Sequence, residues 1–436
     1  MRSGHYTSPA QPDKEVDIMI KKSTAVLSMA GMLITGGSVL AEDVTLQIES
    51  WRNDDISIWR NQIIPAFEAD HPGIKLDFQP MAPTQYNSAL NSKLDAGTAG
   101  DIVTCRAFDA SLQLFQNGQL TDLTDLESMS NYSDVARSAW STDDGSQTYC
   151  VPTASVIHGF IYNQEIFDEL GLEEPATEAE FYAVLDALKE DGSYIPMAMG
   201  INDQWEAATM GYANIGVNYW KGEEGRKALI SGEASLTDEE WVEPFRQLER
   251  WTDYLGRGFE AQTYPDSQNL FTLGRAAIFP AGSWEISVFR SQADFDMGAF
   301  PPPVPAGADE CYISDHTDMG MGLNASSPHQ EEAKIFLNWM GSSEFATLFA
   351  NAVPGFFPLS DADFELEDPL AQEFVSWRSE CNSSIRPFHQ ILSRGTPNLS
   401  NESWNTSANV MRGTSTPEEA AEAMQSGLSS WYAPQQ

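Results

Sequence analysis

Basic residues are scarce in this sequence. Lys and Arg together number 24 against 64 Asp and Glu, a formal net charge of −40. A surface of that sign repels phosphate backbones and anionic headgroups, which excludes nucleic acid and membrane faces as partners. The acids are scattered rather than blocked, as in a solvated surface suited to a salty medium. Recruiting a cationic ligand instead requires acids focused in one cleft. Long apolar runs are also missing. The segment AVLSMAGMLI (25–34) is well short of the ~20 residues of a membrane span. It follows Lys21-Lys22 and precedes Val39-Leu40-Ala41, the pattern of a secretory signal peptide starting at Met19 and cleaved after Ala41. No lipobox cysteine stands near the cleavage point, so a lipid anchor is not expected. Cysteine is rare: Cys105, Cys150, Cys311 and Cys381, none in a CxxC spacing, which argues against zinc or redox use. Four cysteines in an exported chain imply two disulfides with three possible pairings. Cys105–Cys150 with Cys311–Cys381 is the expected one, each loop contributing roughly 4 kcal/mol in the chain-entropy model. HExxH and GxSxG do not occur, and GMG (320–322) lacks the continuation of a phosphate loop.

What is present is alternation of strand and helix. VTLQIES (44–50), IKLDFQP (74–80) and DIVTC (101–105) read as strands. Between them stand the helical patterns IWRNQIIPAFEADHPG (58–73) and YNSALNSKLDAG (86–97), each with a Gly stop. This order predicts βαβ units and a largely parallel sheet. TYCVPTASVIHGFIYN (148–163) is extended and carries Pro without helical period. The helices EIFDELGL (165–172) and TEAEFYAVLDALKEDG (177–192) follow, the second opening on a Thr177/Glu180 capping box. A second α/β set runs through AAIFPAGSWEI. PPPVPAG (301–307) is neither helix nor central strand, since Pro lacks the backbone donor. The segment 327–360 predicts a Pro-started helix, a second helix and another extended crossing, and the C-terminal part is helical.

Four segments carry a family resemblance, in order: GDIVTCRAFDASLQLFQNGQLTDLTDL (100–126), GFIYNQEIFDELGLEEPATEAEFYAVLDAL (159–188), GRAAIFPAGSWEI (274–286) and MGMGLNASSPHQEEAKIFLNWMGSSEFATLF (319–349). The chain resembles the solute-binding proteins of ABC importers, in particular the carbohydrate-binding family that includes maltose-binding protein. Glu178 stands where that family commonly has Trp, and Gln164 where it has Lys. The resemblance implies an α/β fold of two lobes, each a mostly parallel sheet flanked by helices, joined by extended hinge crossings. Carried over, lobe one spans 42–152 plus 317–355 and lobe two 153–316 plus 356–436. Each expected disulfide then lies within one lobe.

The function implied is a periplasmic, monomeric receptor that holds a neutral sugar or short oligosaccharide between the lobes and delivers it to an ABC permease. Cofactor, metal and catalytic chemistry are not expected. A sugar offers apolar C–H faces and a hydroxyl rim, so its site needs aromatic plates and fixed polar groups. Trp284 matches the position where family members stack a sugar ring. Trp51, Asn53 and Asp54 follow the first strand at its carboxyl end, where open α/β sheets bind ligands. Arg106 and Asp109 match the family's polar ligand loop, although Asp109 also suits a helix cap. Trp205 and Trp404 fall where family members carry aromatic site residues. Tyr86, His158, Asp315, His316 and Phe356 lie at a helix start or at the crossings, and hinge packing explains them equally well. His316 beside Asp315 is one pair, short of the three or four ligands of a metal site. Two other readings stay open: the same fold binding a polyamine, metal chelate or compatible solute, and a secreted glycoside hydrolase or lyase using two carboxylates.

Overall fold

The computed structural model describes residues 43–436; the expected leader through Ala41 lies outside them. Ten strands are ordered along the chain: β1 Val44–Ser50, β2 Ile74–Pro80, β3 Ile102–Arg106, β4 Val151–Asn163, β5 Ile195–Met197, β6 Ala276–Gly282, β7 Met297–Phe300, β8 Tyr312–Leu323, β9 Phe357–Pro358 and β10 Asn382–Ser384. Their main path is β2-β1-β3-β8-β4-β6-β5. At one end β2 and β3 flank β1 in parallel, the arrangement expected when helices separate successive strands. At the other end β5 and β6 are parallel as well.

Two long strands join the ends. Residues Val151–Ile157 of β4 pair antiparallel with β8, after which His158–Tyr162 change partner and pair with β6. Similarly, β8 pairs with β3 through Met319–Leu323 and with β10 through Tyr312–Ser314. β9 lies against Ala154 and Ser155, a third extended segment at the same waist. Pro152 lies beside register shifts in β4, where the ladder lacks its donor.

Helices cover the sheet where apolar spacing requires it. A continuous helical run from 56 to 70 sets Trp59 flat on Phe78 of β2, ring centroids 4.5 Å apart. The helix Pro83–Ala96 begins three residues before the pattern suggests, because Pro83 suits the first turn, and it ends at Gly97 with φ 67°. The helix Glu178–Asp191 carries the expected Thr177/Glu180 capping box and stops at Gly192. A larger hydrophobic core runs from β1 through the crossings and includes Phe108, Leu112 and Trp284. A second core gathers Phe160, Phe181, Trp241, Trp251 and the C-terminal residues Phe388, Leu392 and Leu399.

Both expected disulfides form. Cys105–Cys150 ties β3 to the residue before β4, and Cys311–Cys381 ties the residues before β8 and β10. Among the described residues no helix is long and apolar enough to cross a membrane.

Candidate functional site

A cleft of about 520 Å³ is lined by residues of the larger core and by the stretch 386–404, whose Phe388, Leu392 and Leu399 belong to the second. That is within the range of small-molecule sites, about 300–1,000 Å³. Its walls bring together Trp51, Asp54, Tyr86, Arg106, Asp109, Trp205, Trp284 and Trp404 of the sequence-predicted set. The other five predicted residues do not line it. Asn53 points to solvent. Asp315 is taken by Arg378 through two contacts of 2.8 and 2.9 Å. Phe356 is buried beneath the Arg52 guanidinium, 4.5 Å from its ring centroid.

His158 and His316 are buried behind the wall, their Nε2 atoms 3.0 Å apart. They sit where β4 and β8 cross, so packing of the waist accounts for them. Burial, with the nearby Arg386 charge, pushes His158 down to about 3 and His316 well below its ordinary value. Both rings are therefore neutral at pH 7.

Trp284 is placed by the residues before it. β6 ends on Gly282, and the indole folds back over that position: a Cβ there would meet the ring at 1.9 Å. The small residue is what lets the largest side chain lie against the strand end. The indole Nε1 donates to Tyr264 Oη at 3.0 Å and to Glu285 Oε1 at 3.2 Å, which fixes its plane. Tyr264 Oη also hydrogen-bonds Glu285, and Trp205 meets the Tyr264 ring edge-on at 4.8 Å. Trp205, Tyr264 and Trp284 thus form one aromatic wall, while half-buried Trp404 lines the cleft from the C-terminal helix Leu399–Met411. Burial pushes Glu285 up to about 7, against hydrogen bonds from Tyr264 and Gln268 that favour its ionised form.

The facing wall is polar. Trp51 is buried, with the Arg106 guanidinium 3.8 Å over its ring and Tyr86 edge-on at 5.4 Å. One face of Trp51 is therefore already covered by a cation. The Tyr86 hydroxyl is committed to the Thr104 carbonyl at 2.7 Å. Asp109 is engaged by Arg394, Nε to Oδ1 at 2.7 Å, and the cap of its helix is Phe108 rather than Asp109. Arg394 also grips Asp143 at 2.6 and 2.8 Å. Its neighbours Leu392 and Leu399 belong to the second core and Phe108 and Leu112 to the first, so this ion pair links the two cores beside the cleft.

The lining includes residues that sequence reasoning passed over: Arg52, Thr104, Thr209, Tyr264, Asp318, Arg386, His389 and Asn401 among them. Arg52 adjoins Trp51 and was within reach of the same loop argument. Arg386 and His389 stand in an irregular stretch after β10, with no periodicity or motif to mark them. Burial weighs against the charge of Arg52, but bidentate pairing with Asp55 at 2.6 and 2.9 Å outweighs it and raises its pKa.

The sequence profile of the family described as bacterial extracellular solute-binding protein matches residues 53–347. The chain belongs to that family. Among its relatives is an uncharacterized ABC transporter extracellular-binding protein of Pyrococcus horikoshii, 26% identical over 341 residues, covering 74% of this chain and 73% of that one. The multiple sugar-binding protein of Streptococcus mutans is 21% identical over 345 residues, covering 76% and 75%. Solved structures share the fold of this solute-binding protein. A chitin oligosaccharide binding protein superposes with a TM-score of 0.77 at 20% identity, covering 90% of this chain and 99% of that one. A solute-binding protein in complex with raffinose gives 0.73 at 19% identity, covering 89% and 100%.

Proposed function

We propose that this solute-binding protein is a sugar receptor that holds a mono- or short oligosaccharide in the cleft and delivers it to an ABC permease. The observation that carries this reading is the pairing of an aromatic wall, Trp205, Tyr264 and Trp284 with Trp404, against a facing wall that carries Asp54, Arg106 and Asp109. Stacking a pyranose face on one such plate contributes roughly 2.5 kcal/mol for about 100 Å² of apolar area. Rim hydrogen bonds supply selectivity, because a sugar lacking one hydroxyl leaves a desolvated group unpaired. Relatives and fold neighbours named for sugars support the same ligand class.

The ligand set we assign is Trp51 with Arg106, then Asp54, Tyr86, Trp205, Trp284 and Trp404, with Asp109 serving closure through Arg394. The lobes follow the expected boundaries, 42–152 plus 317–355 and 153–316 plus 356–436, with β4, β8 and β9 as crossings. A ligand touching both walls favours the shut arrangement, which is closure by differential affinity. Arg52, Arg106 and Arg386 in the lining disfavour a polyamine. The protein acts in the periplasm as a monomer after cleavage at Ala41, and no bond of the sugar is broken.

Titration of intrinsic tryptophan fluorescence with a panel of saccharides tests this, followed by chromatography of the released ligand. A saturable change with one site per chain and unaltered sugar is expected. Hydrolysed sugar on release contradicts the receptor reading.

A further inference from the structure

Three arginines line the cleft of a chain whose formal charge is −40, and they are not equivalent. Arg52 is closed off by Asp55. Arg386 gives Nε to His316 Nε2 at 2.9 Å and makes one contact of 3.3 Å with Asp318. Arg106 is different: among the described residues its guanidinium has no carboxylate, carbonyl or hydroxyl acceptor, although Trp51 holds it in place from one side. Of the other lining carboxylates, Asp109 is paired with Arg394, and Asp54 interacts with Arg52 and Asp55. The cleft thus sets two guanidiniums, Arg106 and Arg386, against a single carboxylate, Asp318. Burial pushes Arg106 down to about 10, so it stays charged at neutral pH.

An unpaired guanidinium in a closing, water-poor cleft is costly unless the ligand supplies the counter-charge. Sugar hydroxyls accept hydrogen bonds but carry no charge. A carboxylate offers two coplanar oxygens that match the guanidinium fork and shorten its bonds. The net negative surface repels anions at long range, but screening over about 8–10 Å at physiological salt confines that effect to the approach. We infer that the preferred ligand is an acidic saccharide, its carboxylate received by Arg106 with Arg386 beside it and its apolar ring face laid on the Trp284 wall. This rests on the sugar reading and replaces the neutral sugar expected from sequence.

Calorimetry of the purified protein with uronic-acid di- and trisaccharides, and with the same compounds after reduction of each carboxyl to a primary alcohol, tests it. The acid form is expected to bind about 30-fold more tightly, as one charge-assisted bidentate contact implies. The advantage should shrink as salt is raised. Arg106→Gln should bring the ratio of acid-form to reduced-form affinity close to one, whatever affinity for the reduced form it keeps, and Arg106→Lys should restore part of the preference. Equal or tighter binding of the reduced form by the unaltered protein overturns the acidic ligand and leaves the sugar reading standing. Binding of neither form overturns both. A preference that survives in Arg106→Gln overturns the assignment of Arg106. The comparison in the unaltered protein decides the ligand class even if a variant fails to fold.

Discussion

Trp284 and Glu285 show how adjacent residues divide one task. The indole faces the cleft while the carboxyl behind it, fully buried, accepts from Trp284, Tyr264 and Gln268. Because burial raises Glu285 from 4.5 to about 7, the folded protein holds that proton more tightly than the unfolded chain does. Its contribution to stability is therefore fully present below pH 4.5 and declines as pH rises to about 7, by on the order of 3 kcal/mol. Urea midpoints measured from pH 4 to 8 should show this fall in the native protein. Glu285→Gln keeps the hydrogen-bonding shape without the titration and should remove that portion of the slope. An unchanged slope in the variant contradicts the assignment.

At the scale of elements, the disulfide Cys105–Cys150 depends on a glycine of β8. A Cβ at Gly322 would meet the Cys105 Sγ at 2.7 Å and the Cys150 Sγ at 2.9 Å. Gly322→Ala should therefore destabilise by about 1–3 kcal/mol through overpacking, read as a lower melting temperature. The same variant lacking both cysteines should lose most of that penalty. The first strands of the same sheet were readable from sequence, since the segments 44–50 and 74–80 match the bounds of β1 and β2. The capping box at Thr177 was equally local. The start of Pro83–Ala96 was missed because the helical pattern was read from Tyr86, without the first turn that Pro83 suits. His158 and His316 misled for a different reason. They look like site residues in one dimension, and only the pairing of β4 with β8 shows them joined to each other inside the waist. Arg386 was invisible because an irregular segment gives no pattern from which to infer its direction.

For the whole molecule, the two walls matter only if they meet on one ligand. Arg394 provides a contact between them independent of any sugar, through Asp109 and Asp143. The guanidinium is partly exposed, so solvent screens the pair and its worth is modest, about 1 kcal/mol for the network. Arg394→Gln should weaken sugar binding by roughly threefold to fivefold, with the loss fading at high salt. An affinity unchanged at low salt means the pair does not help closure.

The account depends most on a saccharide held against the Trp284 wall, and a thermal-shift comparison tests that directly. The native protein and Trp284→Ala are melted with and without each saccharide, acidic and neutral, at about 100 times the dissociation constant of the native protein. The native protein should gain about 2.7 kcal/mol with its best ligand. Most of that gain should vanish in the variant, although it melts as one cooperative unit without ligand. No shift with any saccharide, or a full shift retained without the indole, contradicts the account.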